Sequence, residues 1–232
     1  MKIMTFNTQH CENFITKKID FEKVARFIVD SDVDFVGLNE MRGDGPVSGY
    51  TAQTEKLSEL TKMPHYFFSE AIMVGGTSPY GNGFLSKIPI LKAEKIMIPD
   101  PEVRDNNFYE TRCIIKVKLE GGITVLVTHF GLNQTEKENA VKTVLENLEN
   151  EKCILMGDFN VTPDDALLKP IEEKMKDVAE VFETPLLSWP SDKPEKKIDY
   201  IFVSRDVEVV SADIPEAVVS DHRAHIAEVV LK

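Results

Sequence analysis

Polar residues that close apolar runs are the ones placed to do chemistry in this sequence, because the end of a strand is where a rigid scaffold can aim a side chain at a ligand. Six such places occur. They are Asn7 after Ile3-Met4-Thr5-Phe6, Glu40 after Phe35-Val36-Gly37-Leu38, His129 after Val125-Leu126-Val127-Thr128, Asp158 and Asn160 on either side of Phe159, Asp199 ahead of Tyr200-Ile201-Phe202, and Asp221-His222 after Val218-Val219-Ser220. Together they supply four carboxylates, two amides and two imidazoles. That inventory suits a hard cation held by oxygen ligands beside an acid–base histidine. Taken singly, Asp158 or Asp199 reads as a turn residue or a helix cap, and only the set turns the reading towards catalysis.

Other motifs lead elsewhere. Asp30, Asp32 and Asp34 imitate the start of a calcium loop, which fails because Phe35 stands at the turn position and Met41 where a bidentate Glu belongs. Gly75-Gly76 lacks the Gly-Lys-Ser/Thr of a phosphate-binding P-loop. His222 and His225 are three apart, which on a strand sets them on opposite faces, so His225 reads as structural. His10 and His65 carry no signal beyond surface or core roles. Trp189 could stack on a base or headgroup, or pack on its own scaffold.

The elements that must position these residues follow from periodicity. Apolar and β-branched stretches bounded by Gly, Pro and Asn predict strands at 2–6, 33–38, 65–69, 83–86, 91–98, 111–119, 124–128, 153–156, 198–203, 207–212 and 225–231. Helical spacing appears at 21–29 with Asp20 as N-cap, at 53–60, and at 136–148, where Ala140, Val141, Val144, Leu145 and Leu148 share a face. A further helical candidate, 166–181, is broken by Pro170, and 99–107 and 183–197 read as loops. Strands outnumber helices and helices fall between pairs of strands, so packed sheets flanked by helices are expected.

With 232 residues and 42% hydrophobic composition, the chain can bury a substantial core, and one domain over 1–232 is the expectation. No apolar run reaches the roughly 18 residues of a membrane helix, and Cys11, Cys113 and Cys153 form no CxxC pair. A cytoplasmic protein, with a monomer favoured, is the corresponding expectation.

The ordered set Thr5-Phe6-Asn7, Asn39-Glu40, Gly81 to Ser86, Thr128-His129-Phe130-Gly131-Leu132, Gly157-Asp158-Phe159-Asn160, Ile198-Asp199-Tyr200-Ile201-Phe202 and Ser220-Asp221-His222-Arg223 resembles the endonuclease/exonuclease/phosphatase superfamily. Ser188-Trp189-Pro190-Ser191-Asp192 leading into Lys197-Ile198-Asp199-Tyr200 is similar to its small bacterial members. The resemblance implies an α/β fold, a four-layer αββα sandwich with two central sheets back to back, as in deoxyribonuclease I. It also implies a phosphoesterase using Mg²⁺ or Mn²⁺. Glu40 would be the principal metal ligand, with Asn7 and Asp221 near the same cation or its waters. Asp158 and Asn160 would position the attacking water and a phosphate oxygen, and Asp199 would fix the tautomer of His222. His129 would bind phosphate or assist the leaving group, and Arg112 matches the family's arginine near the site. Asn39 departs from the Gln usual before the metal Glu.

The chemistry needs such groups because a phosphoryl centre is already anionic and repels nucleophiles. An imidazole oriented by a carboxylate gains a fixed tautomer and a countercharge. As for substrate, the net charge is −12, and the loops do not offset it. Arg42 and Lys56 balance Asp44 and Glu55, whereas Asp100, Glu102, Asp105 and Glu110 outnumber Arg104. Small-molecule or lipid-headgroup phosphoesters are therefore expected ahead of long nucleic acid. The alternatives are a nuclease acting on DNA or RNA ends and a catalytically silent module on the same fold.

Overall fold

Fourteen strands are found among residues 1–104, 107–181 and 186–231, which the computed structural model describes. In chain order they begin with β1 (Lys2–Asn7), β2 (Glu12–Asn13), β3 (Lys18–Ile19), β4 (Phe35–Arg42), β5 (His65–Val74), β6 (Ser78–Ser86) and β7 (Ile90–Met97). They continue with β8 (Cys113–Leu119), β9 (Thr124–His129), β10 (Cys153–Asp158), β11 (Met175–Asp177), β12 (Asp199–Ser204), β13 (Val207–Asp213) and β14 (His225–Leu231). The α-helices are α1 (Phe21–Asp30), α2 (Gln53–Thr61), α3 (Gln134–Asn147) and the single turn α4 (Lys169–Glu172).

Two six-stranded sheets carry the fold, in the orders β13-β14-β1-β4-β6-β5 and β11-β12-β10-β9-β8-β7, with β2 and β3 as a separate ribbon. Each sheet is mixed: β1 and β4 are parallel, as are β9 and β10, and the other pairings are antiparallel. Side chains alternate by face. Ile3, Phe35, Phe84, Val125, Val127, Ile154, Met156 and Ile201 meet between the sheets. Their neighbours Met4, Phe6, Val36 and Leu38 face outward against Val24, Ala25 and Ile28 of α1 and Leu57 of α2. On the far side Leu126, Leu155, Tyr200 and Phe202 pack under Ala140, Val141 and Val144 of α3 and Ile171 of α4. The result is the four-layer α/β sandwich. Gly37 marks a close approach of the two sheets, because a Cβ there would lie 2.8 Å from Val127 Cγ2 and 2.9 Å from Met156 Sδ.

Helix starts follow local chemistry. Asp20 accepts the Lys23 backbone N–H at 3.0 Å and caps α1 as expected. Asn133 and Glu136 close a capping box that starts α3 two residues before the predicted 136. The candidate helix at 166–181 is instead a 3-10 turn (Ala166–Leu168), then α4, then β11 and a second 3-10 turn (Val178–Val181). Pro170 sits in the first turn of α4, where its missing N–H is no loss, and Met175–Asp177 pairs with β12 as an edge strand. Parts of the expected loops 99–107 and 183–197, and the end of the expected domain, lie outside the described residues. Among the described residues no helix is long and apolar enough to cross a membrane. All three cysteines are buried and unpaired.

Candidate active site

Parity and register together set the site. Asn7 continues the inward series Ile3, Thr5, and Asp158 continues Ile154, Met156; both therefore point between the sheets where their strands end. In the second sheet Asp158 is the register partner of His129 on one side and of Asp199 on the other, so three adjacent strands present their polar residues at one level. Across the gap Asn7 pairs in register with Asn39.

Glu40 breaks the alternation. It lies where the pairing of β4 with β6 shifts between Leu38 and Met41, and its φ is 61°. A bulge of this kind re-aims a side chain: Asn39 already faces inward, Glu40 joins it at the site, and Met41 returns to the outer core. Asn39 is fully buried and spans the two sheets. Its Nδ2 donates to Asn82 Oδ1 and to the Thr128 carbonyl, both at 2.9 Å, and its Oδ1 accepts the Asp158 N–H at 3.0 Å. The position that departs from the family pattern thus anchors the strand end carrying Asp158.

Three of the predicted residues, Asn7, His129 and His222, meet at Asp158 Oδ2. Asn7 Nδ2 donates to it at 3.0 Å and to Glu40 Oε1 at 3.1 Å. His129 Nε2 lies 3.5 Å away and His222 Nε2 3.7 Å away. His222 Nδ1 donates to Asp199 Oδ2 at 2.8 Å, and Asp158 Oδ1 accepts the Asn160 N–H at 2.9 Å. Arg112 Nη1 donates to His129 Nδ1 at 2.9 Å and pairs with Glu110 at 2.6 Å. Asp221 stands at the rim, partly exposed, accepting Ser220 Oγ at 3.0 Å.

These contacts fix protonation. Burial would lower the His222 pKa, but the carboxylates of Asp199 and Asp158 overcome it and raise it, so His222 is an imidazolium at neutral pH. Burial raises the Asp158 carboxyl against the opposing pull of His222. Burial, then Arg112 and His222, hold His129 well below its ordinary value. Because Arg112 occupies Nδ1, the neutral His129 carries its proton on Nε2, towards Asp158.

Three participants escaped the sequence reading. His10 Nδ1 is 3.9 Å from Glu40 Oε2, and burial with the Arg42 charge lowers its pKa to about 4. Tyr80 is hydrogen-bonded by Arg112, and burial beside Glu40 and Glu110 raises its phenol. Glu110 holds Arg112 from the other side. The parity argument for His222 and His225 also needs correction, since His222 precedes β14 and only His225 is in the strand. His225 is fully buried on the inner face, consistent with a structural place.

The residues fit a hard divalent cation. Burial pushes the Glu40 carboxyl up and the Asp221 carboxylate adds to that, although the Asn7 amide opposes it. The nearest basic group to its free oxygen, His10, is kept neutral, so the charge there is left for a cation. Asp158, Asp199 and His222 also bring one ligand atom each within 4.8 Å. Within that trio His222 Nδ1 is already hydrogen-bonded to Asp199 Oδ2 at 2.8 Å.

Residues 4–222 match the model of the Endonuclease/Exonuclease/phosphatase family. No curated protein matches the sequence. Among solved structures, an endonuclease/exonuclease/phosphatase from Beutenbergia cavernae is 20% identical with a TM-score of 0.80, over 100% of this chain and 71% of that one. A functionally unknown conserved protein from Enterococcus faecalis is 18% identical with a TM-score of 0.81, covering 100% of both chains. A mannosyl-6-phosphatase from Bacteroides thetaiotaomicron is 16% identical with a TM-score of 0.75, again covering 100% of both. With the family model spanning nearly the whole chain and the layered sheets shared, this protein belongs to the endonuclease/exonuclease/phosphatase family.

Proposed function

We propose that the chain is a metal-dependent hydrolase of small or medium phosphodiesters or phosphomonoesters, acting by in-line attack of water. The observation that carries this reading is the convergence on Asp158 Oδ2 of Asn7 at 3.0 Å, His129 at 3.5 Å and His222 at 3.7 Å, from strand ends in both sheets and the loop before β14. Glu40, with Asn7 and Asp221 close by, would hold Mg²⁺ or Mn²⁺, which when bound neutralises charge on the phosphoryl oxygens.

The chain's own residues do the rest. His222, cationic and oriented by Asp199, donates Nε2–H to a phosphoryl oxygen, and neutral His129 donates its Nε2–H alongside. Asp158, its carboxyl raised by burial, holds the attacking water and accepts its proton. Asn160 positions Asp158 through its N–H, donates Nδ2 to the Phe130 carbonyl at 3.0 Å and lines the cleft next to His222. Arg112 orients His129 and adds positive charge to the phosphate side. A small phosphoester suits the site because the chain carries a net charge of −12, and the mannosyl-6-phosphatase neighbour is named for such a substrate.

Turnover of bis-p-nitrophenyl phosphate tests the proposal. Asp158→Ala and His222→Ala should each lower kcat by roughly 10²–10⁴-fold while the protein stays folded. Equal turnover in wild type and both variants would remove the mechanism.

A further inference from the structure

A cleft of about 470 Å³ is lined in part by Asn160 and His222. Val161, Ile198 and the exposed Leu132 supply apolar surface to it. Trp189, Lys137 and Lys196 line it as well. Trp189 is not a loose loop residue. It exchanges backbone hydrogen bonds with Lys196 at 3.1 and 2.9 Å, and the Lys196 ammonium lies 5.3 Å from its ring centroid.

The same loop is fastened to the catalytic segment. Ser191 N donates to the Asp221 carbonyl at 2.7 Å, Ser191 Oγ to the Ser220 carbonyl at 2.5 Å, and Arg223 N to the Ser188 carbonyl at 2.8 Å. The loop that carries the indole is therefore tied to the segment that carries His222. Among the described residues neither Lys137 nor Lys196 has an ion-pair partner, although the chain carries a −12 excess from which partners could be drawn. The one carboxylate on the cleft wall, Asp165, is occupied in capping Leu167 N at 3.0 Å.

We propose that this cleft selects substrates in which a ring carries a second phosphate, the ring lying against Trp189 and the second phosphate held by Lys137 and Lys196. The proposal rests on the phosphoesterase reading above and names its substrate class: a small ring bisphosphate. An aromatic face accepts either a sugar ring or a base, and an ammonium pair recognises a phosphate as point charges without demanding one ring chemistry. Two ammonium groups without a carboxylate partner, Lys196 resting only against the Trp189 ring, cost solvation if the cleft is filled by a neutral group, and are matched when a second anion arrives.

Inhibition of bis-p-nitrophenyl phosphate hydrolysis by defined competitors measures this selectivity. The probes are a hexose bisphosphate against the hexose monophosphate, and a nucleoside bisphosphate against the nucleoside monophosphate. In at least one pair the bisphosphate should inhibit roughly tenfold more strongly or better, and the pair that shows it identifies the ring. In Lys137→Ala/Lys196→Ala that ratio should fall towards one. If neither pair discriminates in the wild type, or the discrimination survives in the double variant, the inference is wrong. Absence of any bis-p-nitrophenyl phosphate hydrolysis would instead sink the phosphoesterase reading beneath it.

Discussion

Replacing Asp199 by Asn preserves shape and deletes one charge from the buried pair it forms with His222. The contact is 2.8 Å from Nδ1 to Oδ2, and both side chains are almost completely enclosed. Charge centres about 4 Å apart interact by about 4 kcal/mol at an effective dielectric of about 20. That energy corresponds to about three pKa units. In the intact protein the Asp199 and Asp158 carboxylates, against burial, raise His222 to about 10. Asp199→Asn should therefore bring its titration into the neutral range. The sign for stability follows: a raised folded pKa gives stability that is complete below the ordinary value of about 6.5 and lost as pH rises through about 10. Urea unfolding of metal-free wild type should thus weaken over that alkaline window, and the variant should show a much flatter profile. Ring-resonance NMR of His222 reads the titration directly, and turnover should fall by roughly 10²-fold or more. An unchanged His222 titration together with unchanged turnover would refute the electrostatic argument.

Three further perturbations probe other parts of the structure. Gly157→Ala puts a Cβ 1.8 Å from the Thr128 carbonyl oxygen at a φ of 147°, so the unfolding free energy should drop by about 3 kcal/mol or more, or soluble protein should be lost. His225 is lowered to about 4 by burial and Lys197. Its neutral form then favours the fold fully above about 6.5, and that contribution is lost as pH falls through about 4; His225→Leu should flatten the acid limb of a pH–stability curve. Turnover should vanish with EDTA and return with Mg²⁺ or Mn²⁺, and metal-independent hydrolysis would contradict the role given to Glu40.

Much of this architecture is legible in the residue pattern, for physical reasons. The eleven predicted strands all exist, because alternation and β-branched content report burial on a pleated surface; their bounds differ where polar residues such as Asn7, His129 and Asp158 continue a strand, and also where β4 starts only at Phe35, β5 runs on to Val74 and β6 starts at Ser78. The candidate site is legible as a cluster because its polar residues sit where apolar runs stop. His10 is not, since its approach to Glu40 depends on consecutive left-handed residues at Gln9, His10 and Cys11, a local conformation that no periodicity announces. Tyr80 and Glu110 are hidden for a different reason: they come together around Arg112 and Glu40 through contacts between distant segments. Met175–Asp177 escapes because three residues are too short to show alternation, and tertiary pairing with β12 decides their state.

Strand β14 runs through the interior of the first sheet, hydrogen-bonded to β1 on one side and β13 on the other, with His222 just ahead of it. A polypeptide cut before residue 225 therefore lacks an interior stave of the sheet, and Thr5 keeps only its β4 neighbour Gly37, with its other side unpaired. Completion of the first sheet and placement of the segment that carries His222 therefore depend on the same strand.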